Sequence, residues 1–357
     1  MKNIPFIFFF SCPVFIAVGQ SPVTLEQKPH TVYIENGEQV QHLNFDFKVT
    51  NSSRDTLTLT KMVVSVLNSE GQLIYQRFLD NNGTAPSIQI IPNREFQGPS
   101  THLIFNPFTD FEKNILLHQL TYDLTFTDNG DHEHSVQATV KPQLYNQSLK
   151  FTFPLKGKAL VYDGHDFYAH HRRFDFEFPF IKELGISTNF MRYAYDFVLL
   201  NEQNQQYLAD GKKDEDYIGF GKSVYAVAEG KVIYAAGNYA DDKNFNVKAL
   251  AKNPLELYGN CIAIQHSNGS VSIYGHLKQN SLKVKVGDVV QSSQELAQIG
   301  VSGSSFFPHL HFEVRTDIQN SSEGLPSYFS NIVSLKGKQG QPVLSGLAET
   351  GVIVQTK

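Results

Sequence analysis

A chain of 357 residues, 41% hydrophobic and 18% charged, is long enough to build two globular domains, each with a sizeable core. Basic residues number 30 against 35 acidic, a net charge of −5, and no basic stripe interrupts that balance, so nucleic acid is not expected as a partner.

At the N-terminus Lys2 precedes apolar residues 4–10 and 14–18, interrupted by Pro13, and Ala17-Val18-Gly19 supplies small residues for cleavage. The run is short for a bilayer span. Residues 1–19 are therefore expected to be a removed export signal, placing the mature chain in the periplasm, the cell envelope or outside the cell. A lipid anchor on Cys12 is the rival reading, and the preceding Phe9-Phe10-Ser11 makes a poor attachment motif. No other segment is apolar enough to cross a bilayer, so no integral membrane segment is expected after signal removal. Loss of residues 1–19 removes only Lys2, leaving 29 basic against 35 acidic groups (29 − 35 = −6). It also leaves Cys261 alone, in an apolar strand pattern, which excludes an intramolecular disulfide and a thiolate zinc site and suits a small buried hydrophobe.

Residues 20–157 read as short strands joined by polar turns. Positions 43–49 alternate with period two before a turn at 51–55; strands at 57–60 and 62–67 precede a turn at 68–71; positions 120–126 alternate cleanly before 128–131. This spacing predicts an Ig-like β-sandwich. It holds no cluster of chemistry-bearing residues, so an adaptor or shielding role is expected.

From residue 158 the texture changes. Histidine becomes frequent, at His165, His170 and His171, and β-branched runs at 224–233, 261–265, 271–274 and 284–290 are punctuated by glycine, with no long helical period. Residues 158–335 are expected to form a second all-β domain. The polar stretch 201–222 reads as a surface loop of the kind that borders a site. Residues 336–357 read as a C-terminal extension whose strand-like 352–354 would add at a sheet edge.

Four segments of this half carry chemistry. They are His170-His171-Arg172-Arg173, Tyr195-Asp196-Phe197, Tyr274-Gly275-His276 and His309-Leu310-His311. A strand places residues i and i+2 on one face, so His309 and His311 project side by side, with Glu313 third in the row. A catalytic zinc needs about three protein ligands, mostly imidazole and carboxylate, and an open position for water; spare histidines nearby can move protons. Each segment also has an ordinary structural explanation, as a buried carboxylate on backbone amides, a turn histidine or a solvated basic loop.

Residues 158–335 resemble the lysostaphin/LytM-type zinc metallopeptidases. The resemblance rests on Tyr195-Asp196-Phe197, Gly219-Phe220-Gly221, Gly230-Lys231-Val232, Gly259-Asn260, Tyr274-Gly275-His276-Leu277, Val286-Gly287-Asp288 and Gly300-Val301-Ser302-Gly303 running into Pro308-His309-Leu310-His311, all in the family's order. It implies a β-sheet, barrel-sandwich-like peptidase domain that cuts peptide bonds in peptidoglycan stem peptides or cross-bridges. It implies a Zn2+ held by Asp196, His311 and a further histidine, and it implies that His276 and His309 activate water and stabilise the tetrahedral intermediate.

In much of that family the first ligand is a histidine four residues before the aspartate, where this chain has Arg192. A guanidinium stays protonated and offers no lone pair. A subset of the family with an added N-terminal domain resembles this chain in carrying the His-His-Arg-Arg motif upstream, which points to His171 as the third ligand, with His170 as the alternative. Tyr274, two residues from His276, and Arg172 are expected substrate contacts, the arginine through a substrate carboxylate. The glycines of residues 300–305 would let backbone amides approach a peptide. Two other classes compete with the enzyme. One is an inactive adaptor or activator of another cell-wall hydrolase, which Arg192 favours. The other is a biotinyl- or lipoyl-type carrier, suggested by residues 226–232 and 286–290 but lacking a recognisable modified lysine.

Overall fold

The computed structural model describes residues 21–335, 341–342 and 347–356, so the expected export signal, Cys12 and most of residues 336–346 lie outside the described residues. Among the described residues regular structure is almost entirely β: the α-helix Pro179–Glu183 spans five residues. No described helix is long and apolar enough to cross a membrane.

In the N-terminal half, strand Asp46–Asn51 lies between Val23–Lys28 and Ser100–Phe105 in one antiparallel sheet. A second sheet runs Glu133–Val140, Gln119–Thr127, Leu57–Leu67, Leu73–Asp80. Alternation dictates what faces inward: Leu120, Tyr122, Leu124 and Phe126 are buried while the threonines between them are half-exposed. In the neighbouring strand the inward set slips from Leu59 to Met62 where the register shifts opposite Thr125 and Phe126, and the bulge lets both sides of the slip stay in the core. Phe47 of the first sheet meets Tyr122 of the second edge to face, ring centroids 5.0 Å apart. Burying each such aromatic or aliphatic side chain contributes about 1.5–3 kcal/mol.

The second half is built on one large, open sheet. At its centre Val271–Gly275, Leu310–Arg315, Tyr195–Leu200 and Lys158–Asp163 are antiparallel neighbours in that order. Ile353–Thr356 pairs with Lys158–Asp163 on one side and Ile332–Ser334 on the other, so the C-terminal strand lies within the sheet and not at its edge as the sequence suggested. One face of the four central strands packs Tyr195, Phe197, Tyr274, Leu310 and Phe312 into the main core, which starts upstream of residue 158 with Phe151, Phe153 and Leu155. The other face meets a smaller core of Ala194, Tyr258, Cys261 and Ile273, covered by Phe176, Leu184, Ile186 and Phe190 of the segment between Lys158–Asp163 and Tyr195–Leu200. Cys261 is fully buried there, as a small hydrophobe. Leu103 of the N-terminal half joins this second core, so the two halves share packed surface.

Candidate metal centre

Register assembles the site. Gly275 pairs with His311, His311 with Asp196, and Asp196 with Asp163, so four adjacent strands place these positions in one row across the sheet, on the face away from the main core. Asp163 enters the row because the register shifts between Val161 and Asp163. His309 precedes His311 by two and shares its face. His276 follows Gly275 with φ 57°, a left-handed conformation that ends the strand and turns its imidazole toward His309, ring centroids 4.8 Å apart. Gly275 itself leaves no room for a Cβ, which would lie 2.9 Å from the Cβ of Tyr258.

His171 arrives from the 164–194 segment. Its Nε2 lies 3.8 Å from Asp196 Oδ1, and His311 Nδ1 lies 3.2 Å from the same oxygen. His309 Nε2 is 3.4 Å from it. His170, with a side chain 66% exposed, approaches Asp196 Oδ2 at 3.9 Å from the solvent side. Asp163, His170, His171 and Asp196 each offer an atom within 4.8 Å of the others. Two imidazole nitrogens and a carboxylate oxygen suit zinc, and separations of 3.2 and 3.8 Å bracket the roughly 3.3 Å edge of a tetrahedron with bonds of about 2.0 Å.

Two of the buried histidines of the site hand their far nitrogen to a peptide carbonyl. His276 Nδ1 lies 2.8 Å from the carbonyl of Ser302 and His309 Nδ1 2.8 Å from that of Phe307. A carbonyl only accepts, so both Nδ1 atoms carry a proton, and a neutral ring then keeps its lone pair on Nε2. His171 Nδ1 faces Asp163 Oδ2 at 2.8 Å, and His311 Nε2 faces Glu313 Oε1 at 3.7 Å. Glu313 is itself ion-paired to Arg315, and Tyr258 stacks on His311, ring centroids 4.4 Å apart.

Electrostatics follow from this packing. Burial pushes the Asp196 carboxyl up, but the imidazoles of His309, His171 and His311 gathered around it outweigh that and hold the group well below the usual carboxylate range. Asp163 behaves alike, burial being overcome by hydrogen bonds from His170 and His171. Burial, then the neighbouring His309 and His311, drives His276 well below the ordinary imidazole value, which keeps it neutral.

His170, His171, Asp196, His276, His309 and His311 line a cleft of ≈ 490 Å³ whose remaining wall is mostly apolar, including Tyr162, Phe174, Phe306 and Phe307, with Ser304 and Ser305 adding hydroxyls. Every lining residue comes from the second half of the chain, between Tyr162 and His311.

Two expected substrate contacts are not brought to the cleft. Tyr274 is fully buried in the main core, where its hydroxyl accepts from the Val227 amide. The i, i+2 relation to His276 fails because His276 has left the strand conformation. Arg172 is also fully buried, donating to Asp46 of the N-terminal half at 2.6 Å, and Arg192 donates to the same carboxylate at 2.6 Å. Nor do the glycines of residues 300–305 all face a substrate: Gly303 crosses Gly259, and a Cβ on either would come within 2.4 Å of the other's backbone. Sequence reasoning missed Asp163, although a carboxylate closing the alternating stretch Leu160-Val161-Tyr162-Asp163 just before Gly164 was a signal.

The model of peptidase family M23 matches residues 216–324. An uncharacterized metalloprotease of Buchnera aphidicola is 23% identical over 263 residues, covering 70% of this chain and 59% of that protein. The murein hydrolase activator NlpD of Escherichia coli is 32% identical over 106 residues, covering 29% of this chain and 23% of that protein. The lipoprotein NlpD of Yersinia enterocolitica is 32% identical over 95 residues, covering 27% of this chain and 78% of that protein. The chain thus spans less than two thirds of the length of the first two of these relatives. Among solved structures, the catalytic domain of lysostaphin from Staphylococcus simulans is 22% identical with a TM-score of 0.27, covering 47% of this chain and 88% of that one.

Proposed function

The chain belongs to peptidase family M23, and we propose that its second half is a zinc endopeptidase that hydrolyses peptide bonds in peptidoglycan stem peptides or cross-bridges after export from the cytoplasm. The observation that carries this reading is that His171, His309 and His311 all address one carboxylate oxygen of Asp196, with His276 beside them. His171, Asp196 and His311 would hold the metal; His171 is preferred to His170 because it is buried and its Nε2 addresses the oxygen that His311 also faces. Bound zinc would polarise the scissile carbonyl and lower the pKa of a bound water toward about 7. His276, kept neutral by burial, presents an unprotonated Nε2 to the cleft, and His309 lies beside it. One accepts the proton of the attacking water, and the resulting imidazolium faces the developing oxyanion and hands the proton to the departing amine. Asp163, 2.8 Å from His171 Nδ1, would orient that ligand imidazole.

Digestion of isolated cell wall tests this. The zinc-loaded protein should release new free amino groups, and a chelator should stop it. A second reading, recruitment of another cell-wall hydrolase, is favoured by the relatives named murein hydrolase activators. It predicts no new amino groups from this protein alone, and faster wall lysis by another wall hydrolase with this protein than without it. That pair of results would replace the enzyme reading.

A further inference from the structure

The segment that delivers His171 has no sheet of its own to hold it. Between Lys158–Asp163 and Tyr195–Leu200 the chain makes turns and one helix of five residues, so the imidazole needs other restraints. Those restraints come from the N-terminal half. Asp46, at the start of strand Asp46–Asn51, is fully buried and places one carboxylate oxygen 2.6 Å from Arg172 Nη1 and the other 2.6 Å from Arg192 Nη1. Arg172 also donates through Nη2 to the carbonyl of Phe45 at 2.8 Å. Since Arg172 directly follows His171, its guanidinium anchors the adjoining peptide, and Asn189 Nδ2 completes the clamp by donating to the carbonyls of both His171 and Arg172. Upstream, Asn44 Nδ2 donates to the carbonyl of His165, whose Nδ1 lies 2.6 Å from Glu35 Oε2. Residues 35 and 44–46 therefore grip the ligand-bearing segment at two points.

Burying a carboxylate with two guanidinium groups is an inefficient route to stability, because desolvation consumes much of the Coulombic gain. Its geometric consequence is specific: the anchored arginine is adjacent to the proposed ligand. We propose that Asp46, acting through Arg172, is a positioning residue for His171, so that the N-terminal sandwich is a built part of the metal centre. The inference rests on the zinc reading above.

Zinc affinity of the full chain, measured by chelator competition, tests it together with the visible spectrum of the cobalt(II)-substituted protein. Arg172→Met and Arg192→Met each leave Asp46 with one arginine, a one-to-one buried pair, so both variants should fold even where Asp46→Asn does not. Lys48→Ala breaks the 2.9 Å contact with Glu177, which joins the same strand to the second half away from His171. Arg172→Met, and Asp46→Asn where it folds, should weaken zinc binding about 10–100-fold and alter the cobalt spectrum, while Arg192→Met and Lys48→Ala stay near wild type. Wild-type affinity and spectrum in Arg172→Met would overturn the positioning role while leaving the zinc reading intact. Equal losses in Lys48→Ala and Arg192→Met would also overturn it, reducing the contact to general domain docking. Absence of zinc binding in the wild type would remove both.

Discussion

His276 and His309 differ from His171 and His311 in what fixes their outer nitrogen. Peptide carbonyls hold the first two, whereas carboxylates face the second two. That difference separates proton carriers from ligands. His276→Ala and His309→Ala should each retain zinc and slow wall hydrolysis about 10²–10⁴-fold, to be read as zinc content beside turnover. Asp163→Asn should keep the fold and weaken zinc binding about 10–100-fold in a competition titration, since the Nδ1 partner of His171 is lost. The His-x-His pair and Asp196 were legible because strand periodicity alone puts them in view. Asp163 and Asp46 were not, because their partners lie 8 and 126 residues away in sequence and only folding reveals them. Tyr274 was misplaced by the same periodicity, which His276 breaks with a positive φ.

Strands supply the alignment that those residues need. The row Asp163, Asp196, His311, Gly275 exists only in the observed register, and a slip of one residue in any strand would turn its contribution to the opposite face. The Gly259–Gly303 crossing fixes the loop that offers the Ser302 carbonyl to His276. Gly303→Ala meets backbone at 2.4 Å with φ 74° and should destabilise the protein by about 1–3 kcal/mol, seen as a lower melting temperature. In the N-terminal half His42 and Asp110 are register partners 2.8 Å apart. Burial lowers His42, but its hydrogen bond to the Asp110 carboxylate outweighs that and raises it above 6.5. Burial raises Asp110, but His42 more than offsets that and lowers it below 3.8. The pair therefore stabilises fully between these two ordinary values, losing its contribution as pH rises through the His42 value or falls through that of Asp110. Asp110→Asn should flatten the melting temperature between pH 5 and pH 8, values bracketing about 6.5; an unchanged profile would refute the linkage. Alternation made these strands readable. The insertion of Ile353–Thr356 inside the large sheet was not, since strand order is set by packing partners and not by the strand's own pattern.

At the scale of the whole molecule the change of texture near residue 158 made two halves visible, but nothing local disclosed how they join. The sequence left open whether the sandwich shields the cleft. No residue of that half lines it, and the junction instead grips the segment carrying His171. Deleting residues 20–140, which spares the core residues Phe151, Phe153 and Leu155, should therefore abolish wall-degrading activity and zinc retention; higher activity would favour shielding. Equilibrium dialysis against zinc followed by elemental analysis, on the wild type, His170→Ala and His171→Ala, addresses the centre itself most directly. A single zinc per chain is expected in the wild type and in His170→Ala, and its loss in His171→Ala. A full equivalent retained without His171, or none bound by the wild type, would contradict the proposed centre.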